Sequence, residues 1–142
     1  MLDGGRRLPL VEDFYTIQGE GYHTGKPAYF IRLGGCDVGC RWCDAKYTWN
    51  PKIFPPVDVD TVVARAKECA AQAIVITGGE PLLYPLGVLT QRLREEGKTC
   101  TLMGVDVSKE ALSAAAKRKE NILLAVASVF HMPVADESVS LL

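Results

Sequence analysis

Cys36, Cys40 and Cys43 fall within eight positions in the stretch Cys36-Asp37-Val38-Gly39-Cys40-Arg41-Trp42-Cys43, a C-x3-C-x2-C spacing. The chain holds five cysteines in all, whereas a secreted disulfide scaffold spreads an even number along its length. Thiols this close read as metal ligands. A structural zinc site wants four closed ligands, usually in two close pairs. A fourth is missing locally: His23 and His131 are the two histidines, and Asp44 is a hard oxygen donor. Three thiolates on one tight loop suit three irons of a [4Fe–4S] cube, with the fourth iron open to a non-protein ligand. Gly39 lets the backbone curl close to the sulfurs. The competing readings are a zinc knuckle completed by a distant residue and ordinary buried thiols. Cys69 and Cys100 sit in apolar patterns and read as small buried hydrophobes.

With an aromatic residue, Trp42, just before its last cysteine, this loop resembles the signature of radical S-adenosylmethionine enzymes. The resemblance implies that the open iron binds the amino and carboxylate groups of S-adenosyl-L-methionine. Electron transfer from the cluster then makes a 5′-deoxyadenosyl radical that abstracts hydrogen. The cofactor carries that chemistry while the protein positions it and excludes water. Thr77-Gly78-Gly79-Glu80-Pro81 resembles the superfamily's Gly-Gly-Glu-Pro motif, with Gly79 and Glu80 orienting the methionine end of the cofactor. Alone, the same glycines read as a strand stop.

A narrower resemblance runs through Phe14-Tyr15-Thr16-Ile17-Gln18-Gly19-Glu20-Gly21, through Gly25 to Cys36, and through Trp42 to Trp49. These segments are similar to the 7-carboxy-7-deazaguanine synthases of queuosine and other deazapurine pathways. In that family 6-carboxy-5,6,7,8-tetrahydropterin is contracted to the deazaguanine with loss of ammonia. Carried over by position, Ile17, Gln18, Gly19, Arg32 and Thr77 would contact the substrate, and Trp42, Cys43, Asp44, Gly79 and Glu80 the cofactor. Cys36, Cys40 and Cys43 would ligate the cluster. The resemblance further implies a reducing partner such as flavodoxin and a homodimer. Arg32 is a planar, permanently charged fork suited to a carboxylate, and Gln18 offers donor and acceptor to a pterin edge. The plainer alternatives are a strand-end surface charge for Arg32 and a turn residue for Gln18.

Two departures stand out. The family has Thr after the Cys-Asp pair, and its hydroxyl helps hold Mg²⁺; here Ala45 stands in that place. A methyl group cannot ligate a hard cation, so Mg²⁺ would depend on Asp44, Thr48 or water. The likeness also covers roughly residues 8 to 102 and then stops. From Gly104 to Arg118 and from Val126 to Ser138 the chain is similar to class I methyltransferases that act on guanine in ribosomal RNA. There an acid at the position of Asp106 would grip the cofactor ribose, and Ala127 or Ser128 would lie beside the adenine. The glycine-rich motif that should precede Asp106 is missing from Pro85 to Met103. Two parts are expected: 1–102, radical S-adenosylmethionine-like, and 103–142, a methyltransferase-type β-α-β segment on the same sheet.

These motifs need elements to hold them. Ala28 to Leu33 is a β-branched and aromatic run ending at Gly34-Gly35, a strand feeding the cysteine loop. Asp58 or Asp60 can cap a helix with Val62, Val63, Ala66, Cys69, Ala70 and Ala73 at helical spacing. Ile74 to Thr77 reads as a buried strand stopped by Gly78-Gly79. Pro85 suits the first position of a second helix carrying Leu86, Leu89 and Leu93, with Gly97 as its stop. Thr99 to Met103 reads as a third strand, a helix from Ser108 follows, and Ile122 to Ala127 as a fourth strand. Alternating strands and helices predict an α/β fold of parallel β-α units. The expected architecture is an open half-barrel of about four strands, with the cluster at their C-terminal ends.

Composition limits the function classes. The chain has 142 residues, enough for one compact domain, with 48% hydrophobic and 23% charged residues, a globular profile. Sixteen Lys and Arg against seventeen Asp and Glu leave a formal charge of −1, which argues against a general electrostatic grip on nucleic acid. The longest strongly apolar stretch, Ile122 to Phe130, is half of what a bilayer-crossing helix needs. The N-terminus lacks a signal-peptide core, so a cytoplasmic protein with no membrane partner is expected. The leading function is a radical ring-contracting lyase. Its rivals are a non-catalytic iron-sulfur remnant and a fragment of an rRNA methyltransferase.

Overall fold

The computed structural model describes residues 3–19, 24–98, 103–106 and 123–126. Strand β1, Arg7–Ile17, pairs antiparallel with β2, Pro27–Leu33, and at its start with the short β3, Pro56–Asp58. Helix α1, Val59–Glu68, leads to β4, Ala73–Gly78, which lies parallel to β2. The sheet order is β3-β1-β2-β4. Helix α2 spans Gly87–Glu95. Strands β5, Met103–Asp106, and β6, Leu123–Val126, form a separate parallel pair.

The α/β class holds, with one correction: the four-stranded sheet is mixed. The expected parallel β-α-β unit is present as β2–α1–β4, but β1 and β3 run against it. Neither is among the strands that the sequence predicts. The polar residues of β1 interrupt an apolar strand pattern, and β3 is hidden among the prolines at 55 and 56.

Strand alternation decides which side chains meet the helices. Tyr29, Ile31 and Leu33 of β2 and Ile74 of β4 join Val59, Val62, Val63 and Ala66 of α1 and Leu89 and Leu93 of α2 in one core. Each fully buried leucine contributes about 1.5–3 kcal/mol. On the opposite face stand Ala28, Phe30 and Arg32. One packed face therefore holds the strands, while the other carries Arg32 beside the apolar Ala28 and Phe30.

Helix α1 begins where Asp58 accepts from the Asp60 amide at 2.8 Å, so Asp58 is the cap rather than Asp60. It ends at Glu68, short of the expected Cys69, Ala70 and Ala73. Cys69 is extended, and its carbonyl and that of Ala71 accept from Lys98 Nζ at 2.6 and 2.7 Å. Cys69 is half-buried against the core. Helix α2 starts at Gly87, after Pro85, with the Leu86 carbonyl accepting the Thr90 amide at 2.9 Å. Gly97 ends it at φ 75°. Strand β5, Met103–Asp106, includes the last residue of the expected third strand; Thr99 to Leu102 lie outside the described residues, as do Cys100 and the helix from Ser108. Among the described residues no helix is long and apolar enough to cross a membrane.

Candidate active site

The C-terminal end of β2 runs into Gly34-Gly35-Cys36, and three segments clamp that tripeptide. From β1, the Pro9 carbonyl accepts the Gly34 amide at 2.8 Å. From the far side of the cysteine loop, Thr48 and Trp49 carbonyls accept the Gly35 and Cys36 amides at 2.6 and 3.2 Å. From the end of β4, the Gly79 amide donates to Leu33 at 3.0 Å and the Glu80 amide to Gly35 at 2.8 Å. Tyr84 Oη adds a bond to the Gly34 carbonyl at 2.7 Å. The two motifs that the sequence reading singled out are thus in direct contact.

That contact demands glycine at position 79. A Cβ there would run into the Gly35 carbonyl and lie 3.1 Å from Cys36 Cβ. Within the cysteine loop, Gly39 takes φ 68°, the left-handed conformation expected of it. The Cys43 amide returns to the Cys40 carbonyl at 3.2 Å, drawing the second and third thiols into one turn.

Cys36, Cys40 and Cys43 are half-buried and form no disulfide. In kind these donors fit an iron-sulfur cluster: three soft sulfurs on a glycine-bent loop, open to solvent on one side. Among the described residues, no three His, Cys, Asp or Glu side chains form a metal-holding group. His23 and His131, candidates for a zinc site's fourth ligand, lie outside the described residues.

Trp42 is 65% exposed within the loop, and Asp44, just past Cys43, is also exposed. Glu80 accepts from the Leu82 amide at 2.9 Å and so caps the 3-10 turn Pro81–Leu83. Magnesium fits poorly. Ala45 offers no side-chain oxygen, and the fully buried Thr48 hydroxyl donates to the Ala45 carbonyl at 2.8 Å. That leaves Asp44 as the accessible side-chain oxygen of the turn, against the several oxygen ligands such an ion requires.

The substrate candidates divide. Arg32 and Thr77 are direct partners across the β2–β4 ladder, next to the strand ends that carry Cys36 and Gly79. Ile17 pairs with Pro27 at the opposite end of β2. Five residues separate positions 27 and 32, about 16 Å along a strand. Ile17, at 59% exposed, with Gln18 and Gly19 following it, therefore lies apart from the cysteine loop. The Gln18 backbone closes the hairpin, donating to Lys26 at 2.9 Å and accepting from Gly25 at 2.8 Å.

Sequence reasoning missed Glu12. Its Oε1 accepts from Arg32 Nε at 2.7 Å. Phe14 and Phe30 stack one row further along, with centroids 5.6 Å apart and planes 5° from parallel. The alternation of β1 breaks between Leu10 and Glu12, so no regular sequence pattern pointed to either contact. Behind the sheet, Tyr29 Oη donates to Asp13 at 2.7 Å, and Arg65 of α1 holds the other oxygen of Asp13 at 2.9 Å. Burial chiefly, then that bond to a carboxylate, pushes the Tyr29 phenol well above its usual range. Burial likewise raises Tyr84.

Comparison with known proteins adds lineage to this geometry. The family model described as the radical SAM superfamily matches residues 30–129. The 7-carboxy-7-deazaguanine synthase of Flavobacterium psychrophilum is 59% identical over 95 residues, 67% of this chain and 45% of that protein. Its Escherichia coli K12 namesake is 40% identical over 116 residues, 68% of this chain and 52% of that protein. The crystal structure of QueE from Escherichia coli superposes with a TM-score of 0.59 at 38% identity, over 68% of this chain and 52% of that one. The chain spans about half the length of the curated relatives it matches.

Proposed function

The chain belongs to the radical SAM superfamily, and on that premise we propose that it acts as a ring-contracting lyase of the 7-carboxy-7-deazaguanine synthase type. Its substrate would be 6-carboxy-5,6,7,8-tetrahydropterin and its product 7-carboxy-7-deazaguanine, with ammonia released. The observation that carries the reading is the contact between the two motif loops, made by the Glu80 amide on Gly35 and the Gly79 backbone against Cys36. It places the cysteines and the Gly-Gly-Glu-Pro turn on one rim of the sheet.

Superfamily membership implies a [4Fe–4S] cluster and S-adenosyl-L-methionine. Bound together they supply a one-electron route to hydrogen abstraction. Cys36, Cys40 and Cys43 would hold the cluster. Trp42, Asp44, Gly79 and Glu80 would line the cofactor, Gly79 by leaving room for it and Glu80 by stiffening the turn it caps. Arg32 would take the substrate carboxylate as a charged fork beside Thr77. Ile17, Gln18 and Gly19 would meet the far end of the substrate or close over it. No step is assigned to Mg²⁺.

The finer architecture we infer is an open half-barrel, with residues 103–142 as a methyltransferase-type segment. Asp106, the acid expected to grip a ribose, is the last residue of β5. A flavodoxin-type reductant, a homodimer and a cytoplasmic setting complete the reading.

Anaerobic reconstitution tests it. The expected result is iron and sulfide near about four each per chain, 5′-deoxyadenosine on reduction, and a deazaguanine product. A Cys43→Ala variant that keeps the same cluster spectrum and turnover would overturn the assignment.

A further inference from the structure

Strand β1 does not run evenly. Leu10 pairs with Leu33, yet the next pair is Glu12 with Arg32, so Val11 is an extra residue at a β-bulge. Before the bulge Leu8 and Leu10 pack on the helix side of the sheet. Beyond it that side is taken by Asp13, which reaches Tyr29 and the α1 residue Arg65. Without the extra residue, alternation would set Val11 opposite Arg32 and turn Glu12 toward the helices. Bulges are features that re-aim a side chain next to a functional site.

The re-aimed side chain is Glu12, and it meets Arg32 through Nε at 2.7 Å. Arg32 is about one quarter exposed and Glu12 about half, so their mutual attraction alone adds little to folding. Its consequence is geometric. An unpaired arginine on an open sheet face samples many rotamers, and ordering it on binding costs affinity. Held at Nε, the guanidinium plane is set, and among the described residues Glu12 is the side chain bonded to it. The bond to Glu12 uses Nε and leaves the terminal Nη groups as the donors for a ligand, on a side chain whose ladder partner is Thr77.

We infer that Glu12, delivered by the bulge at Val11, is a positioning residue that pre-orients Arg32 to receive a carboxylate on a flat ring. The inference rests on the assignment of Arg32 to the substrate carboxylate, and it adds a residue that acts through Arg32 without touching the substrate.

The test is a binding cycle on the reconstituted chain with S-adenosyl-L-methionine present. The probes are 6-carboxypterin and pterin without the carboxylate, followed by ligand fluorescence. The wild type is expected to prefer the carboxylated ring. Glu12→Gln should weaken 6-carboxypterin roughly tenfold, equivalent to about 1.4 kcal/mol, and leave pterin unchanged. In an Arg32→Ala background the Glu12→Gln change should have no further effect, the signature of coupled residues. Glu12→Asp should recover part of the loss.

A Glu12→Gln chain that keeps the full preference overturns the inference while the assignment of Arg32 stands. An equal Glu12→Gln effect with and without Arg32 also overturns it, since Glu12 would then act by itself. If the wild type binds both probes alike, or neither, the reading of Arg32 falls and the inference with it. Thermal denaturation of each variant separates a general loss of folding from a loss of orientation.

Discussion

The amide of Glu80 donates to the carbonyl of Gly35 at 2.8 Å. These residues are forty-five positions apart in the chain, one leading into the cysteine loop and the other in the Gly-Gly-Glu-Pro motif. Parallel pairing of β2 with β4 brings them together: Leu33 and Gly78 are the last partners of that ladder. The loops that leave the two strands at the same level have no choice but to meet.

Gly79→Ala tests how tightly they meet. The added methyl enters the Gly35 carbonyl and crowds Cys36, so a loss of about 1–3 kcal/mol is expected, together with reduced iron uptake. Gly87→Ala is the control. It has open space at the start of α2 and should be neutral or stabilise by up to about 1 kcal/mol. Equal melting temperatures for both variants would show that the loops are not pressed together.

Lys98 is 6% exposed and donates to the carbonyls of Cys69 and Ala71. It ties the end of α2 to the turn between α1 and β4. Lys98→Met keeps most of the stem and leaves both carbonyls without their donor. Urea denaturation should show a loss of about 2–3 kcal/mol. A variant as stable as the parent would mean that water reaches this turn.

Removing the metal should spare the fold. The core residues, from Leu8 through Leu93, pack on the helix side of the sheet, whereas the cysteine loop emerges from the strand ends. Iron chelation is expected to erase the visible absorption while far-ultraviolet dichroism and a cooperative melt persist. Collapse of the dichroism on chelation would place the cluster within the folding core.

Alkaline pH should weaken the protein through Tyr29 and Tyr84. Both phenols are raised above their usual value of roughly 10, Tyr29 by burial and its bond to Asp13, Tyr84 by burial. Below that pH native and unfolded chains both keep the phenols neutral, and the contribution is whole. Above it the unfolded chain releases protons that the native state retains, so stability falls as pH rises toward and through the native values. The urea midpoint should therefore drop above a pH of about 10, and Tyr29→Phe should make that drop shallower. An unchanged slope in the variant would remove Tyr29 from the account.

The local chemistry was legible in the chain itself. Cysteine spacing, the bend at Gly39, a cap at Asp58 or Asp60 and the leucines of α2 follow from residue type and period, although the structure had to choose Asp58 over Asp60. The parallel unit β2–α1–β4 was legible for the same reason, because a helix between two apolar runs leaves one compact solution. What tertiary structure decided depends on partners distant in sequence. Strand β1 was invisible because its pattern changes phase at Val11, and a bulge shows only against the strand it faces. For the same reason Glu12 emerged only once Arg32 stood opposite it. Ile17, Gln18 and Gly19 moved away from the cysteine loop because antiparallel pairing sends the end of β1 to the beginning of β2. Sequence names the groups that can do chemistry, and register determines which of them share a face.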